Sequence, residues 1–315
     1  MKKILKKISK SGAVGKYIIQ IGLSLYNYYW THIVSDKKVI NKMFLQAFGR
    51  KVNFQQPITL NEKINWLKIN DRSPLHTRCV DKYAVREYIS EKIGEEYLVP
   101  LYFRTSYSEE ITNDNLPDKP CIIKTNHDSG GGYFVKNKKD VDLNIIRIKL
   151  RNRLRKNYYY KYSREWQYKN IKPCVIVESL LQTKDGKIPM DYKLHCFNGK
   201  VRMIQVDIDR GTEYHYRNWY DIHWKREPYR WSSKKGQNKF TDPANYDVAP
   251  PESLKQMIKL SELLAKPFVY VRVDWYDVDG KLYFGEITFH HDSGYAPIIP
   301  EKYDIQLGKE LVLQN

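Results

Sequence analysis

Acid is what this chain is short of: its 315 residues carry 36 aspartates and glutamates against 54 lysines and arginines, a formal charge of +18 at pH 7. Such an excess spreads a positive field that draws anionic partners, whether nucleic acid, anionic lipid or an acidic polymer. No helix-turn-helix, zinc-finger or RNA-recognition signature accompanies the charge, so no nucleic-acid partner is expected. Cysteine is scarce too. Cys79, Cys121, Cys174 and Cys196 stand far apart and never form C-x-x-C, which argues against a zinc site or a disulfide framework and leaves them as small core residues. No window reaches the ~20 apolar residues of a spanning helix and no cleavable signal peptide is visible, so a cytoplasmic protein is expected. The nucleophile elbow G-x-S-x-G is missing, as is a cysteine beside an obvious histidine partner, and hydrolase chemistry has little support. Internal repeats and low-complexity linkers are missing as well.

What is present is the material of a folded protein. Hydrophobic residues make up 42% and aromatic residues 14%, enough for a sizeable core in a chain of this length. The first segment, Met1 to Trp30, opens on lysines and runs into an apolar, aromatic stretch. It suits either a helix docked on the body or a segment lying on an anionic membrane surface. Thr59 followed by Glu62 predicts a capping box for a helix that turns Leu60, Ile64 and Leu67 to one face. A second helix is predicted over Val80 to Ile93, ended by Gly94. The middle of the chain reads as strand, glycine turn, strand: Pro120 to Thr125, then His127 to Tyr133, then Phe134-Val135. A basic surface helix is expected over Ile145 to Arg155, followed by the aromatic patch Tyr158 to Tyr162 with Trp166 and Tyr168, which suits packing or sugar stacking. The run Pro173 to Glu178 is a buried-strand pattern. Asn198-Gly199 and Asp279-Gly280 each sit between alternating segments and predict tight hairpins. Pro251 to Leu264 has helical spacing, with Leu254, Met257, Ile258, Leu260, Leu263 and Leu264 on its apolar face.

In the last hairpin, residues two apart share a face, so Arg272, Asp274 and Tyr276 should point together, as should Phe284, Glu286 and Thr288. Carboxylates in apolar strands need a cation beside them. Magnesium, which one or two carboxylates hold while nucleotide phosphates and waters complete its shell, would serve. So would a structural ion pair with Arg272. Lys124, on the strand before the glycine turn, can reach a phosphate that the N–H groups of Gly130, Gly131 and Gly132 could close over, although no G-x-x-x-x-G-K-[ST] loop occurs. A plain hairpin turn would look the same. His290-His291-Asp292 does not suit a zinc site, because neighbouring residues of an extended segment face opposite ways.

The order of these features resembles that of ATP-grasp ligases. More narrowly, Thr59-Leu60-Asn61-Glu62-Lys63, Asp81-Lys82-Tyr83-Ala84-Val85-Arg86, Asp191-Tyr192-Lys193 and Phe284-Gly285-Glu286-Ile287-Thr288-Phe289 resemble the TupA-like ATP-grasp family over Phe44 to Gly308. That family is associated with bacterial surface polymers such as teichuronopeptide and capsular polysaccharide.

The resemblance implies an α+β ATP-grasp fold: two subdomains with mainly antiparallel sheets clamping ATP, plus a helical N-terminal region. Residues 1–43 would be a basic, aromatic segment, 44–98 the helical region and 99–315 the body, with the glycine loop in about 120–180 and the magnesium and substrate part in 181–308. ATP and Mg2+ are the implied cofactors. Lys124, His127, Ser129 and Gly130 to Gly132 would hold the nucleotide phosphates. Glu178, Ser179, Leu180 and Leu181 would line the adenine pocket, and Asp191 would lie near the ribose. Lys193, Arg210 and Arg272 would neutralise the transferred phosphoryl group. Asp274, Glu286 and Thr288 would bind magnesium, with threonine standing where many ATP-grasp enzymes have asparagine. The implied reaction is ATP-dependent ligation of an amine to a carboxylate, such as an acidic saccharide of a surface polymer, with peripheral contact at an anionic membrane. A glycosyltransferase of capsular polysaccharide synthesis is the alternative.

Overall fold

The computed structural model describes residues 12–161, 164–210, 212–232 and 240–314. The first described helix, α1 (Gly12–Tyr28), continues through a wider turn at Tyr29–Ile33. The first eleven residues of the predicted membrane-surface segment lie outside the described residues. After α2 (Asp36–Phe48) comes α3 (Leu60–Asn70), whose start is the expected capping box. The Thr59 side chain accepts from the Glu62 N–H at 3.2 Å, and Glu62 accepts from the Thr59 N–H at 3.1 Å. Leu60, Ile64 and Leu67 are buried.

Val80 ends one helix, α4 (Pro74–Val80), and the helix expected over Val80 to Ile93 begins only at Val85, as α5 (Val85–Ile93). Asp81 takes an extended conformation, and its carboxylate accepts from the N–H groups of Tyr83 and Ala84. A side chain that offers the backbone such a turn competes with helix. Gly94 closes α5 at φ 110°, a conformation that favours glycine.

Two antiparallel sheets form the body. A four-stranded sheet has the order β1 (Leu101–Thr105), β4 (Val175–Ser179), β2 (Cys121–Thr125), β3 (Tyr133–Val135). Its inner face, with Cys121, Ile123, Val175 and Val177, packs on Ile146 and Leu150 of α6 (Leu143–Leu154). Lys124 and Glu178 belong to the opposite face. A short helix, α7 (Tyr158–Lys161), follows; Tyr162 lies outside the described residues.

The second sheet runs β10 (Lys281–Thr288), β9 (Tyr270–Val278), β5 (Asp191–Phe197), β6 (Lys200–Ile208), β7 (Tyr216–Tyr220). Both predicted hairpins are present, with Asn198 and Gly199 at φ 48° and 82° and Asp279 and Gly280 at 53° and 86°, the left-handed pairs that a two-residue hairpin turn uses. One face of this sheet, with Leu194, Cys196, Val271, Val273 and Trp275, packs on α8 (Leu254–Ala265) through Met257, Leu260 and Leu264. Leu263, expected on that apolar face, is exposed.

The other face carries Phe197, Met203, Trp219 and Tyr270 against α3 and α9 (Glu301–Glu310). Between them β8 (Arg230–Trp231) pairs with β11 (Ile298–Ile299). Because side chains alternate, Lys193, Arg272 and Asp274 lie on this second face. All four cysteines are buried and unpaired.

Candidate functional site

The charged side chains of β5, β9 and β10 form a ladder of alternating sign. Arg210 donates to Asp191 at 2.8 Å, and Lys193 bridges Asp191 and Asp274, the latter at 2.9 Å. Arg272 donates twice to Asp274, from Nε and from a terminal nitrogen, both at 2.7 Å, and again to Glu286 at 2.7 Å. Three cations and three carboxylates thus share one sheet face. Burial by itself would lower the Lys193 pKa, but Asp191 and Asp274 outweigh it and hold the ammonium above its ordinary value. Arg272 is likewise raised against the cost of burial by Asp274 and Glu286. Behind it, His291 Nδ1 lies 2.9 Å from the Arg272 guanidinium. Arginine can only donate, so this nitrogen accepts. Burial, with Arg272 and Arg217 beside it, pushes the imidazole pKa well below its usual value and keeps it neutral.

A cavity of about 310 Å³ opens at the Arg272–Glu286 end of this ladder. Its wall includes Arg272, Gly285, Glu286 and Thr288 from the hairpin, Asp128 and Ser129 from the glycine turn, and Lys82 from the break between α4 and α5. The hairpin and the turn thus meet across one space through Glu286, Thr288, Asp128 and Ser129, whereas Lys124 and Gly130 to Gly132 are not among the residues that line it. Tyr158, Glu165, Tyr168 and His290 close the far side. Part of the aromatic patch thus faces this space, while Tyr159 is packed in the interior.

The strand geometry departs from the simple alternation expected for β10. Phe284 pairs with Trp275, yet Glu286 pairs with Asp274, so Gly285 and Glu286 together oppose one residue. This bulge puts Phe284 into the core and turns Glu286 and Thr288 to the cavity. Gly285 lets the strands approach closely there: a Cβ would stand 3.1 Å from the Asp274 carbonyl oxygen.

The expected metal ligands separate accordingly. Glu286, its side chain 42% exposed, and Thr288 line the cavity. Asp274 is 3% exposed at the side chain, and both its oxygens are engaged by Arg272 and Lys193. The structural ion pair weighed from sequence is therefore present. Among the described residues, no group of three or more His, Cys, Asp or Glu side chains is set to hold a metal ion by itself. A cavity-facing carboxylate with a hydroxyl 3.1 Å from it fits a hard cation that takes its remaining ligands from phosphates and water.

Around the glycine turn, Lys124 pairs with Glu178 at 2.5 Å, and Arg86 approaches the same carboxylate at 3.4 Å. Gly130 and Gly131 take φ 71° and 77°. Arg153 holds the turn from outside the cavity wall, donating to the Gly130 and Gly131 carbonyls, to Asp128 at 2.6 Å and to Thr125 at 3.1 Å. His127, expected to contact phosphate, does not line the cavity. It is buried, and its Nε2 meets the carbonyls of Arg153 and Lys156 at 3.3 and 3.1 Å, which fastens the turn to the end of α6. Of the expected adenine-pocket segment, the Ser179 and Leu180 N–H groups are already donated to Pro100 and Pro120 carbonyls. His290 and His291 face opposite ways, as expected: His290 meets Gln167 at 3.0 Å, whereas His291 meets the Trp231 ring edge-to-face.

Lys82, within the run Asp81 to Arg86, is a cavity residue with no expected role. Its ammonium donates to the Asp128 carbonyl, and burial lowers its pKa against the pull of Glu286. Arg217 was also missed; it joins Asp207 at 2.9 Å to Asp292 at 3.3 Å on the cavity rim. Neither had a spacing signal, because each reaches the site from a separate element.

The family model described as TupA-like ATPgrasp matches residues 62–312. The chain belongs to the TupA-like ATP-grasp family. No curated protein sequence matches it. Among solved structures it is similar to D-alanine–D-alanine ligase from Bacillus anthracis complexed with ATP, at 18% identity and TM-score 0.37, covering 67% of this chain and 54% of that one. It is also similar to N5-carboxyaminoimidazole synthetase from Staphylococcus aureus, at 14% identity and TM-score 0.36, covering 67% and 44%. An L-amino acid ligase from Bacillus licheniformis matches at 12% identity and TM-score 0.42, covering 80% and 53%. The chain spans about half the length of these solved proteins. Its α+β architecture, with two antiparallel sheets and a helical N-terminal region, is that of an ATP-grasp protein.

Proposed function

We propose that this TupA-like ATP-grasp protein is an ATP-dependent ligase that activates a carboxylate as an acyl phosphate and joins it to an amine. The observation that carries the reading is the single cavity walled by the glycine turn on one side and by Glu286, Thr288 and Arg272 on the other. Moving a phosphoryl group onto a carboxylate brings two anions together, and cations fixed in advance lower that barrier. Arg272 and Lys193, already held by buried carboxylates, need no reorganisation to present positive charge. Lys124, Ser129 and the turn's N–H groups would receive the nucleotide phosphates, with Arg210 beside Asp191 as a further cation. Glu286 and Thr288 would hold a magnesium ion, which when bound would supply Lewis-acid stabilisation of the phosphate charge.

The acceptor in this reading is an acidic saccharide, such as a uronic acid of a surface polymer. The +18 charge supports it, since an anionic polymer is drawn to such a surface. Work on a membrane-assembled polymer would place the protein at the inner face of the membrane. Thermal-shift measurements with magnesium and ATP, against magnesium and a uridine diphosphate sugar, test the reaction class. Stabilisation by ATP, together with ADP and phosphate release that needs both acid and amine, is expected. Stabilisation by the sugar nucleotide alone would replace the ligase with a glycosyltransferase.

A further inference from the structure

Helix α1 is covered by little of the protein. Val14, Ile18, Ile21 and Leu25 are 70%, 56%, 44% and 65% exposed, and Tyr17, Leu23, Tyr26, Tyr28 and Tyr29 are exposed as well. At 100° per residue, the spacing of 14, 18, 21 and 25 draws one apolar stripe, while Lys16, Gln20, Ser24 and Asn27 draw a narrow polar one opposite. So much contiguous apolar surface on a folded protein marks an interaction site.

Three observations say what covers it. First, residues 1 to 35 contain six lysines and no aspartate or glutamate, so the segment complements an anionic surface. Second, tyrosines and Trp30 crowd the helix's C-terminal end, and Lys42 stands 3.7 Å over the Trp30 ring; aromatic rings with basic neighbours suit the headgroup level of a bilayer. Third, no described helix is long and apolar enough to cross a membrane, and the polar side of Lys16, Gln20, Ser24 and Asn27 along its length suits a helix lying in the surface plane.

We infer that α1 is an amphipathic anchor that binds the surface of an anionic lipid bilayer. Its base is fixed to the body. Arg164 donates to the Trp30 carbonyl at 2.5 Å, and the His32 ring lies 4.6 Å from that of Tyr160. Asp36, just beyond, accepts from Arg72 at 2.8 Å and from Tyr159 at 2.5 Å. These partners flank Tyr158 and Glu165, which wall the cavity, so the anchor sets the cavity close to the lipid surface. The inference stands on the helix and not on the ligase reading.

The test is co-sedimentation of the full chain with phosphatidylcholine vesicles and with vesicles containing phosphatidylglycerol. Binding to the anionic vesicles, weakened by added salt, is expected. The variant Ile18→Ser/Ile21→Ser/Leu25→Ser, which changes only exposed side chains, should bind about tenfold or more weakly per side chain replaced, with unfolding temperature unchanged. Failure to bind anionic vesicles, binding indifferent to the triple substitution, or self-association in solution that the substitution abolishes would each overturn the inference.

Discussion

Asp304 joins the last helix to the start of α3 and gives the fold a pH dependence that can be calculated. Its two oxygens accept from the backbone and side-chain nitrogens of Asn61, both at 3.0 Å. Burial dominates these bonds and raises its pKa from 3.8 to about 6. The unfolded chain gives up this proton near 3.8, whereas the folded chain keeps it to about 6. The contribution is therefore fully present below the unfolded value and is lost as pH rises through the folded one. At about 1.4 kcal/mol per unit, the shift is worth up to roughly 3 kcal/mol. Asp304→Asn removes the titration but keeps an acceptor for the Asn61 N–H. Its amide can also satisfy Asn61 Oδ1, which has no partner in the wild type, once the Asn61 amide turns over. Urea unfolding of both proteins, followed by tryptophan fluorescence, should give stability curves that diverge between about pH 4 and pH 7, with the wild type losing up to roughly 3 kcal/mol relative to the variant. Parallel curves would show that Asp304 ionises normally in the fold and would refute the reasoning.

Gly308→Ala should abolish the same junction sterically: a Cβ would sit 2.1 Å from the Ile58 oxygen and 2.8 Å from the Leu60 nitrogen. Backbone cannot yield as a side chain can, so a loss above about 4 kcal/mol is expected in denaturant melts; a loss below about 1 kcal/mol would contradict the packing. Lys193→Met leaves Asp191 and Asp274 buried without their shared cation, and a cost of about 3–5 kcal/mol in the same assay is expected. Arg153→Ala should speed hydrogen exchange at the Gly130 to Gly132 amides while leaving that of β5 and β9 unchanged; uniform acceleration would mean that Arg153 supports the whole fold.

Much of the scaffold was legible because its signals are local. Thr59 and Glu62 sit three apart, and Asn198-Gly199 and Asp279-Gly280 are dipeptides, so a short window contains the whole cause of each feature. The register of Arg272 and Asp274 followed from alternation alone. Where the reading failed, the cause lay outside the window. The break at Asp81 depends on a carboxylate that turns back on its own backbone and also accepts from Asn126, forty-five residues further on. The bulge at Gly285 depends on the neighbouring strand. Lys82 lines the cavity, and Arg217 holds Asp292 on its wall, only because separate elements are packed together, and His127 reads as a ligand contact although the end of α6 occupies it.

The central claim is that the glycine turn and the Glu286 hairpin hold one nucleotide between them. Isothermal titration of ATP, with and without magnesium, into wild type, Glu286→Gln and Lys124→Met tests it most directly. The account predicts magnesium-dependent binding by the wild type, loss of that dependence in Glu286→Gln, and weaker binding in Lys124→Met, all in folded protein. Full-strength, magnesium-dependent binding by both variants would contradict it.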